Sequence, residues 1–383
     1  MRQLSPHTGP ELKLLVLWVT TDCNLRCRYC YANGGSNAKY MDWQVAKKAI
    51  DFMINHSRSF TVQFAGGEPL LNMDLIEKVV NYTQGLNVCY QLQTNATLID
   101  LKMAMRLKQL NIGIGVSLDG LPEINDYLRP FSDGKGSTIA TITGLQYLGA
   151  VGTRVGLTCV LSANNVEGLP RLVELTSYLG NIEGITFDVL RPVGKAREND
   201  VRQANPRLAA RHLNAALRRA DEITDQGGRK VKFREVEQVK YLLSTKRIRQ
   251  HHCYFDTSQM LVIKPEGDVY PCPSLTSFPE FYLGNIMEQN FSKELPVNLE
   301  KAKKLIIYPD RCFTCPERWL CGGPCLAQVY TQRKLSDKIN LTGCVIKKVF
   351  INYVLKKSRL THNIVSKEKP KKAKTAAQLK YIQ

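Results

Sequence analysis

Apolar and polar positions alternate between two rhythms through the first two-thirds of the chain. Short runs rich in apolar and β-branched residues fall at Leu14–Val19, Phe60–Phe64, Cys89–Leu92, Ile112–Ser117, Arg154–Val160 and Ile185–Leu190. Their length and content predict strands. Between them apolar residues recur about every 3.6 positions, as in Trp43, Ala46, Ile50 and Met53, and again in Leu101, Met105, Leu107 and Leu110. These predict amphipathic helices, and Asp42 and Asp100 stand where helix N-caps belong. Six strand–helix units in succession predict a parallel sheet with helices on its outer side. Six are too few to close an eight-stranded barrel. The expected fold is therefore α/β, a partial (β/α)6 TIM-type barrel whose missing sector leaves a lateral mouth for a bulky substrate. A charged helical stretch from Pro206 to about Lys246 follows. Beyond it, Cys253–Cys344 carries seven cysteines, several Pro and Gly, and little periodicity, which suits irregular structure organised by metal ligands. The expected organisation is a barrel over residues 1–240 including the start of the helical bridge, a cysteine-rich domain over 241–352, and a disordered basic tail over 353–383.

Composition changes this picture in two places. Twelve cysteines in a 383-residue chain are too many to ignore and sit in too long a chain for a secreted disulfide scaffold. Metal or cluster ligation is the expected use. The formal charge of +19 raises nucleic acid as a partner, yet Lys356–Gln383 alone holds nine basic residues and one acid, Glu368. A solvated tail is the expected reading of that segment, with attraction toward an acidic peptide or nucleic acid as the alternative. No apolar run approaches the roughly 18 residues of a membrane span, and Leu14–Val19 lacks the flanks of a signal peptide. The expectation is a cytoplasmic protein with no membrane partner.

Directly after the first predicted strand comes Cys23-x₃-Cys27-x₂-Cys30, with Tyr29 just before the last cysteine. In a β/α array the loops after strands carry the chemistry. Three thiolates can hold three irons of a cubane, and no fourth cysteine follows nearby, which leaves one iron open to bind and activate a small molecule. This motif resembles that of the radical S-adenosylmethionine (SAM) superfamily. The resemblance implies that the open iron chelates the methionine end of S-adenosylmethionine, and that the reduced cluster cleaves it to methionine and a 5′-deoxyadenosyl radical. The protein then positions the radical carbon and excludes water.

Later strand ends extend the resemblance. Gly66-Gly67-Glu68-Pro69 after the second strand is similar to the family's GGE motif, whose glycines allow close backbone approach and whose Glu68 would accept from the cofactor's ammonium. Asn95, in Gln93-Thr94-Asn95, would face the cleft. Ser117-Leu118-Asp119-Gly120 resembles the S-L-D-G of peptide- and protein-modifying members. Ser117 and Arg129 would then bind the cofactor's carboxylate and ribose, Leu190 would press on the adenosyl group, and Asp119 is the candidate acid or base. Cys89 and Cys159 lie inside predicted strands and read as core.

Downstream, Cys253-x₁₃-Gly267-x₄-Cys272 is followed by Cys312-x₂-Cys315-x₅-Cys321-x₃-Cys325-x₁₈-Cys344. The C-x₂-C pair alone suits zinc. The whole pattern resembles the SPASM extension behind radical domains, which binds auxiliary iron–sulfur clusters. By that resemblance Cys312, Cys315, Cys321 and Cys344 would ligate an outer [4Fe–4S] cluster, and Cys253, Cys272 and Cys325 an inner one, for three clusters in all. Sulfatase maturases carry an acidic residue after the position of Cys272, where this chain has Pro273, and an extra cysteine before that of Cys253, where it has Ile248, Arg249 and Gln250. Either His251 or His252 could supply a fourth inner ligand, although adjacent exposed histidines are the plainer account.

The resemblance spans residues 12–350 and implies a radical peptide maturase. It would act on a ribosomally made peptide or protein, forming a thioether or other crosslink, with a flavodoxin or ferredoxin as electron donor. Little chain precedes the first strand, so leader-peptide recognition is expected from a separate protein, from the helical bridge around Pro206–Lys246, or from the basic tail. Sulfatase-type oxidation and quinone- or mycofactocin-type maturation remain as alternatives. Tetrapyrrole decarboxylation fits less well, because those relatives carry His at the position of Tyr29. From another class, the chain could be a non-catalytic iron–sulfur or zinc scaffold that binds nucleic acid.

Overall fold

The computed structural model describes residues 11–335 and 340–358. Its frame is one ten-stranded sheet. Strands β1 (Leu14–Thr20), β2 (Phe60–Gly66), β3 (Val88–Thr94), β4 (Gly113–Ser117), β5 (Val155–Leu161) and β6 (Ile182–Val189) lie side by side in chain order. All of these pairings are parallel. The six strands expected from the sequence are thus the six observed, with ends shifted by a few residues. Two edges extend them. On one side β7 (Lys232–Phe233) joins β6. On the other, β8 (Met260–Ile263) pairs in parallel with β1 and continues antiparallel into β9 (Asp268–Tyr270) and β10 (Gly284–Asn285).

The first extension corrects the reading of Pro206–Lys246 as one helical stretch, and the second that of Cys253–Cys344 as irregular. In the former region one helix spans Pro206–Asp225 and another Arg234–Ser244, and the break falls at Gly227, whose φ of +81° a side chain would resist. In the latter, Met260–Ile263 is buried at every position. A strand covered on both faces has no polar alternation to reveal its period. The sheet and a continuous apolar core cross residue 240, so the barrel and the cysteine-rich part share one framework.

The sheet's two faces differ, because side chains alternate along each strand. One face carries Leu15, Leu17, Val62, Phe64, Leu92, Val116 and Leu157, all buried. Against it pack helices such as α1 (Trp43–His56), α2 (Met73–Tyr82) and α3 (Leu101–Gln109). As expected, Asp42 accepts from Val45 N and Asp100 from Met103 N. The α3 face is only half the one expected: Leu107 is buried and Leu110 packs on the core, but Leu101 and Met105 are half exposed and Ala104 is buried in their stead. The other face of the sheet lines the barrel interior with Gln63, Gln91, Gln93, Gly115, Ser117, Gly156, Thr158 and Thr186 in register. Cys159 is buried, as read. Cys89 shares the polar face with Gln91 and is exposed, not core.

Helices α4 (Pro122–Leu128), α5 (Thr138–Ala150), α6 (Leu169–Leu179), α7 (Lys195–Glu198), α8 (Pro206–Asp225), α9 (Arg234–Ser244), α10 (Phe291–Lys304), α11 (Arg318–Cys321), α12 (Leu326–Leu335) and α13 (Thr342–Lys357) complete the chain. Helix α13 packs on α8 and α9 and so carries structure past residue 353, where the tail was expected to begin. The rest of that segment, residues 359–383, lies outside the described residues. Among the described residues no helix is long and apolar enough to cross a membrane.

Candidate active site and auxiliary cysteine sites

The loop after β1 is held from three sides before any cofactor is considered. Thr20 Oγ1 accepts from Asp22 N, and Asp22 Oδ1 from Cys23 N. Gly67 N donates to Thr20 O and Glu68 N to Asp22 O, so the exit of β2 is bonded to the cysteine loop. Arg26 N and Arg28 N donate to Pro130 O and Leu128 O, which ties the same loop to the end of α4. The glycines of Gly66-Gly67 are needed for this contact. A β-carbon on Gly67 would lie 1.9 Å from Asp22 O, and one on Gly66 2.1 Å from Thr20 O.

Cys23, Cys27 and Cys30 are brought together by this loop. Burial pushes the Cys23 thiol up to about 12, helped by Glu68 and the two neighbouring cysteines. Burial also pushes Cys27 up to about 12, against the opposing pull of Arg129. A β-carbon on Gly34 would sit 3.1 Å from Cys23 Cβ and 3.8 Å from Cys30 Sγ, so a glycine keeps the space beside the thiols clear. A set of soft, buried donors around a cleared space fits an iron–sulfur cluster, whose metal charge would offset the cost of burying thiolates.

Two buried carboxylates brace the loop. Asp119 is 1% exposed and 0% in its side chain. Its Oδ1 accepts from Val160 N at 2.8 Å, and its Oδ2 accepts from Arg129 Nε at 2.7 Å and from Tyr29 OH. Its own amide donates to Asn125 Oδ1, and Asn165 Nδ2 donates to its carbonyl. Three protein donors hold its two oxygens and its side chain is fully buried, so these bonds make Asp119 a support for Arg129 and Tyr29. It orients Arg129, whose guanidinium lies 5.3 Å from the Tyr29 ring centroid and whose Nη1 reaches to 3.9 Å from Cys27 Sγ. Burial holds the Tyr29 hydroxyl well above its ordinary range.

Glu68 Oε1 accepts from Thr94 Oγ1 and Leu70 N, and Oε2 from Asn95 N. Burial pushes its carboxyl up to about 7, and these bonds oppose the shift. A carboxylate has about four acceptor positions, and protein groups take three of these. Asn95 turns its side chain onto Asn24 and Thr97. Ser117 Oγ accepts from Gln93 Nε2 at 3.0 Å and keeps its own proton to donate. Leu190 is 1% exposed and packs with Tyr29 and Leu128, so it backs the tyrosine and offers little surface of its own. Sequence reading missed Asn24, Asn125 and Asn165, because a single polar residue in a loop or a short helix carries no periodic signal.

The seven downstream cysteines fall into two sets. Burial pushes Cys272 up to about 12, and Cys325 and Cys253 add to the shift. Cys312 is raised by burial and by Cys321 and Cys344, and Lys348 stands beside both Cys315 and Cys344. Between and around them is a cavity of about 710 Å³, which Thr158, Thr186 and Asp188 line from the barrel and Cys253, Cys312, Cys315, Cys321, Cys325 and Cys344 from the other side. Arg191, Arg234, Arg249, Arg311, Arg318, Lys347 and Lys348 also line it, against the acids Asp188, Glu235 and Glu317. Arg191 Nε and Arg318 Nη1 are buried without acceptors. A cationic wall with spare donors fits anionic thiolate clusters, whose sulfurs accept hydrogen bonds.

The two histidines differ. His251 is exposed beside Asp256, whereas His252 lines the cavity with Nδ1 2.8 Å from Lys347 Nζ. The picture of two exposed histidines therefore holds for one of them. Burial pushes the Lys347 ammonium down to about 8. Lys347 lies one helical turn after Cys344, a spacing from which the sequence could have placed it on the ligand face.

Comparison with known proteins places the chain in a family. The radical SAM superfamily model matches residues 19–176, and the SPASM iron–sulfur cluster-binding domain matches residues 253–316. An uncharacterised protein of Methanocaldococcus jannaschii is 39% identical over 285 residues, 73% of this chain and 90% of that one. A cysteine-type anaerobic sulfatase-maturating enzyme of Clostridium novyi is 26% identical over 332 residues, 82% of this chain and 88% of that one. Among solved structures, anSMEcpe with bound AdoMet and Cp18Cys peptide has a TM-score of 0.76 at 22% identity, covering 92% of this chain and 99% of that one, a likeness of fold. The chain belongs to the radical SAM superfamily of enzymes and carries its SPASM iron–sulfur domain.

Proposed function

We propose that this enzyme is a maturase of ribosomally made peptides whose preferred product is a thioether to a peptide cysteine. The deoxyadenosyl radical would take one hydrogen atom from a residue. The cysteine's S–H proton would go to solvent and the remaining electron to an auxiliary iron–sulfur cluster as the C–S bond forms. The observation that carries the reading is the cavity of about 710 Å³ between the polar barrel face and the auxiliary cysteines. The substrate class also draws on the fold likeness to anSMEcpe, which was solved with a peptide.

Cys23, Cys27 and Cys30 would hold the radical-forming cluster. Bound there, the cluster and S-adenosylmethionine supply a 5′-deoxyadenosyl radical. The chain's own residues do the rest. Arg129, steadied by Asp119, offers its remaining N–H groups to a carboxylate. Ser117 donates its hydroxyl proton to a ligand oxygen. Glu68 keeps one acceptor position for an ammonium while bracing β2 against β3. Tyr29 and Leu190 close the floor and exclude water. Cys312, Cys315, Cys321 and Cys344 would hold an outer auxiliary cluster, and Cys253, Cys272 and Cys325 an inner one. A flavodoxin or ferredoxin would deliver electrons, and a separate protein would present the leader peptide. Pro273, in place of an acidic residue, stands against sulfatase oxidation as the reaction.

The test is anaerobic. Reconstituted protein is expected to bind about twelve irons, three clusters of about four each, and to form 5′-deoxyadenosine with reductant, an activity lost in Cys27→Ala. Coexpression with a short, cysteine-containing peptide encoded beside the gene should give a product two hydrogens lighter. An unchanged peptide mass with active cofactor cleavage would reject the crosslink.

A further inference from the structure

Lys347 sits on α13 in the wall between the two cysteine sets. An ammonium has three N–H donors and no acceptor, and each of the three is matched here. Gly323 O accepts one, Cys321 O lies at 3.4 Å, and His252 Nδ1 at 2.8 Å. The first two acceptors belong to the turn that carries Cys321, of the outer set. The third is on the residue before Cys253, of the inner set. The lysine thus spans both sets with one buried charge.

The same bonds decide the state of the imidazole. Lys347 supplies the proton to Nδ1, so Nδ1 accepts and the ring proton lies on Nε2. The ring's one hydrogen bond to a described residue is that of Nδ1, and His252 borders the cavity together with Cys253.

We propose that Lys347 and His252 form an electrostatic bridge between the two auxiliary clusters, with Lys347 fixing His252 as an Nε2–H donor to the inner one. This rests on the assignment of the cysteines proposed above. His252 is then a positioning residue that tunes the cluster, and not its fourth iron ligand. A hydrogen bond to a cluster sulfur and a nearby cation both favour the more negative, reduced form. The inner cluster is therefore set to receive one electron more readily than its three cysteines alone would allow.

The experiment uses full-length chain in which Cys23, Cys27 and Cys30 are replaced by alanine, so that only the auxiliary sites titrate. Protein reconstituted with iron and sulfide is assayed for iron, then titrated with dithionite and followed by electron paramagnetic resonance. His252→Leu is expected to keep its iron and to make reduction of one cluster about tenfold less favourable, about 59 mV for one electron. Lys347→Met should shift the same cluster in the same direction, and His252→Gln, which retains an N–H donor, should recover most of the loss. Loss of one cluster's iron in both His252→Leu and His252→Gln would make the imidazole a ligand and overturn the proposal. Unchanged potentials with full iron in His252→Leu would overturn it too. Failure of the unsubstituted auxiliary sites to take up iron would instead reject the cysteine assignment, and the iron assay reads that before any titration.

Discussion

The loop after β1 and the downstream cysteine region both gather cysteines, but they are built in opposite ways. Cys23, Cys27 and Cys30 sit on one short loop stitched by backbone bonds to the exits of β2 and α4. Their polar supports Asp119 and Glu68 are hydrogen-bonded on both oxygens. The auxiliary cysteines instead come from distant segments and surround a large cavity, with guanidinium atoms left unmatched in its wall. The first site is a mould completed by protein. The second is a shell of thiols and cations gathered from separate segments around a common space.

Four measurements would break or sharpen this contrast. The largest effect is expected from removing iron. Hydrogen exchange should rise by ~100-fold or more in the turn around Cys312–Cys325, while the amides of β1 and the Cys23–Cys30 loop stay protected. Equal loosening of both regions would erase the distinction. Next, Asp119→Ala should lose about 3–5 kcal/mol of stability in denaturant unfolding, because it strands the buried Arg129 charge. Glu317→Ala, at the partly exposed outer set, should lose far less.

A smaller loss should follow Gly67→Ala. The added methyl collides with the Asp22 carbonyl and should cost about 1–3 kcal/mol as the loop shifts, seen as weaker S-adenosylmethionine binding by calorimetry. Ala at Gly156, where nothing lies within 4 Å of the new β-carbon, should leave binding unchanged. The smallest effect concerns Glu235, whose Oε2 is buried without a partner and whose carboxyl burial pushes up to about 7. A folded state with a raised carboxyl pKa holds its proton more tightly than the unfolded chain. Its contribution is present below about 4.5 and lost as pH rises through 7. Glu235→Gln should therefore gain stability over wild type on going from pH 5 to pH 8, read by thermal unfolding of the iron-free protein. A constant difference across that range would show that the carboxylate is matched after all.

Much was legible along the chain because the relevant forces act locally. The six parallel strands announced themselves through short β-branched runs, and Asp42 and Asp100 cap their helices within three residues. Cys23, Cys27 and Cys30 are neighbours in space because they are neighbours in sequence. Tertiary structure alone decided three other matters. Met260–Ile263 joined the barrel sheet because a strand buried on both faces shows no alternation. Asp119 supports Arg129 and Tyr29 because Tyr29, Arg129 and Val160 converge on it from separate elements. Lys347 met His252 across 95 positions, a pairing no local pattern encodes. Spacing can specify which residues lie close together. Which polar groups remain free to act depends on the donors and acceptors that folding brings to them from elsewhere in the chain.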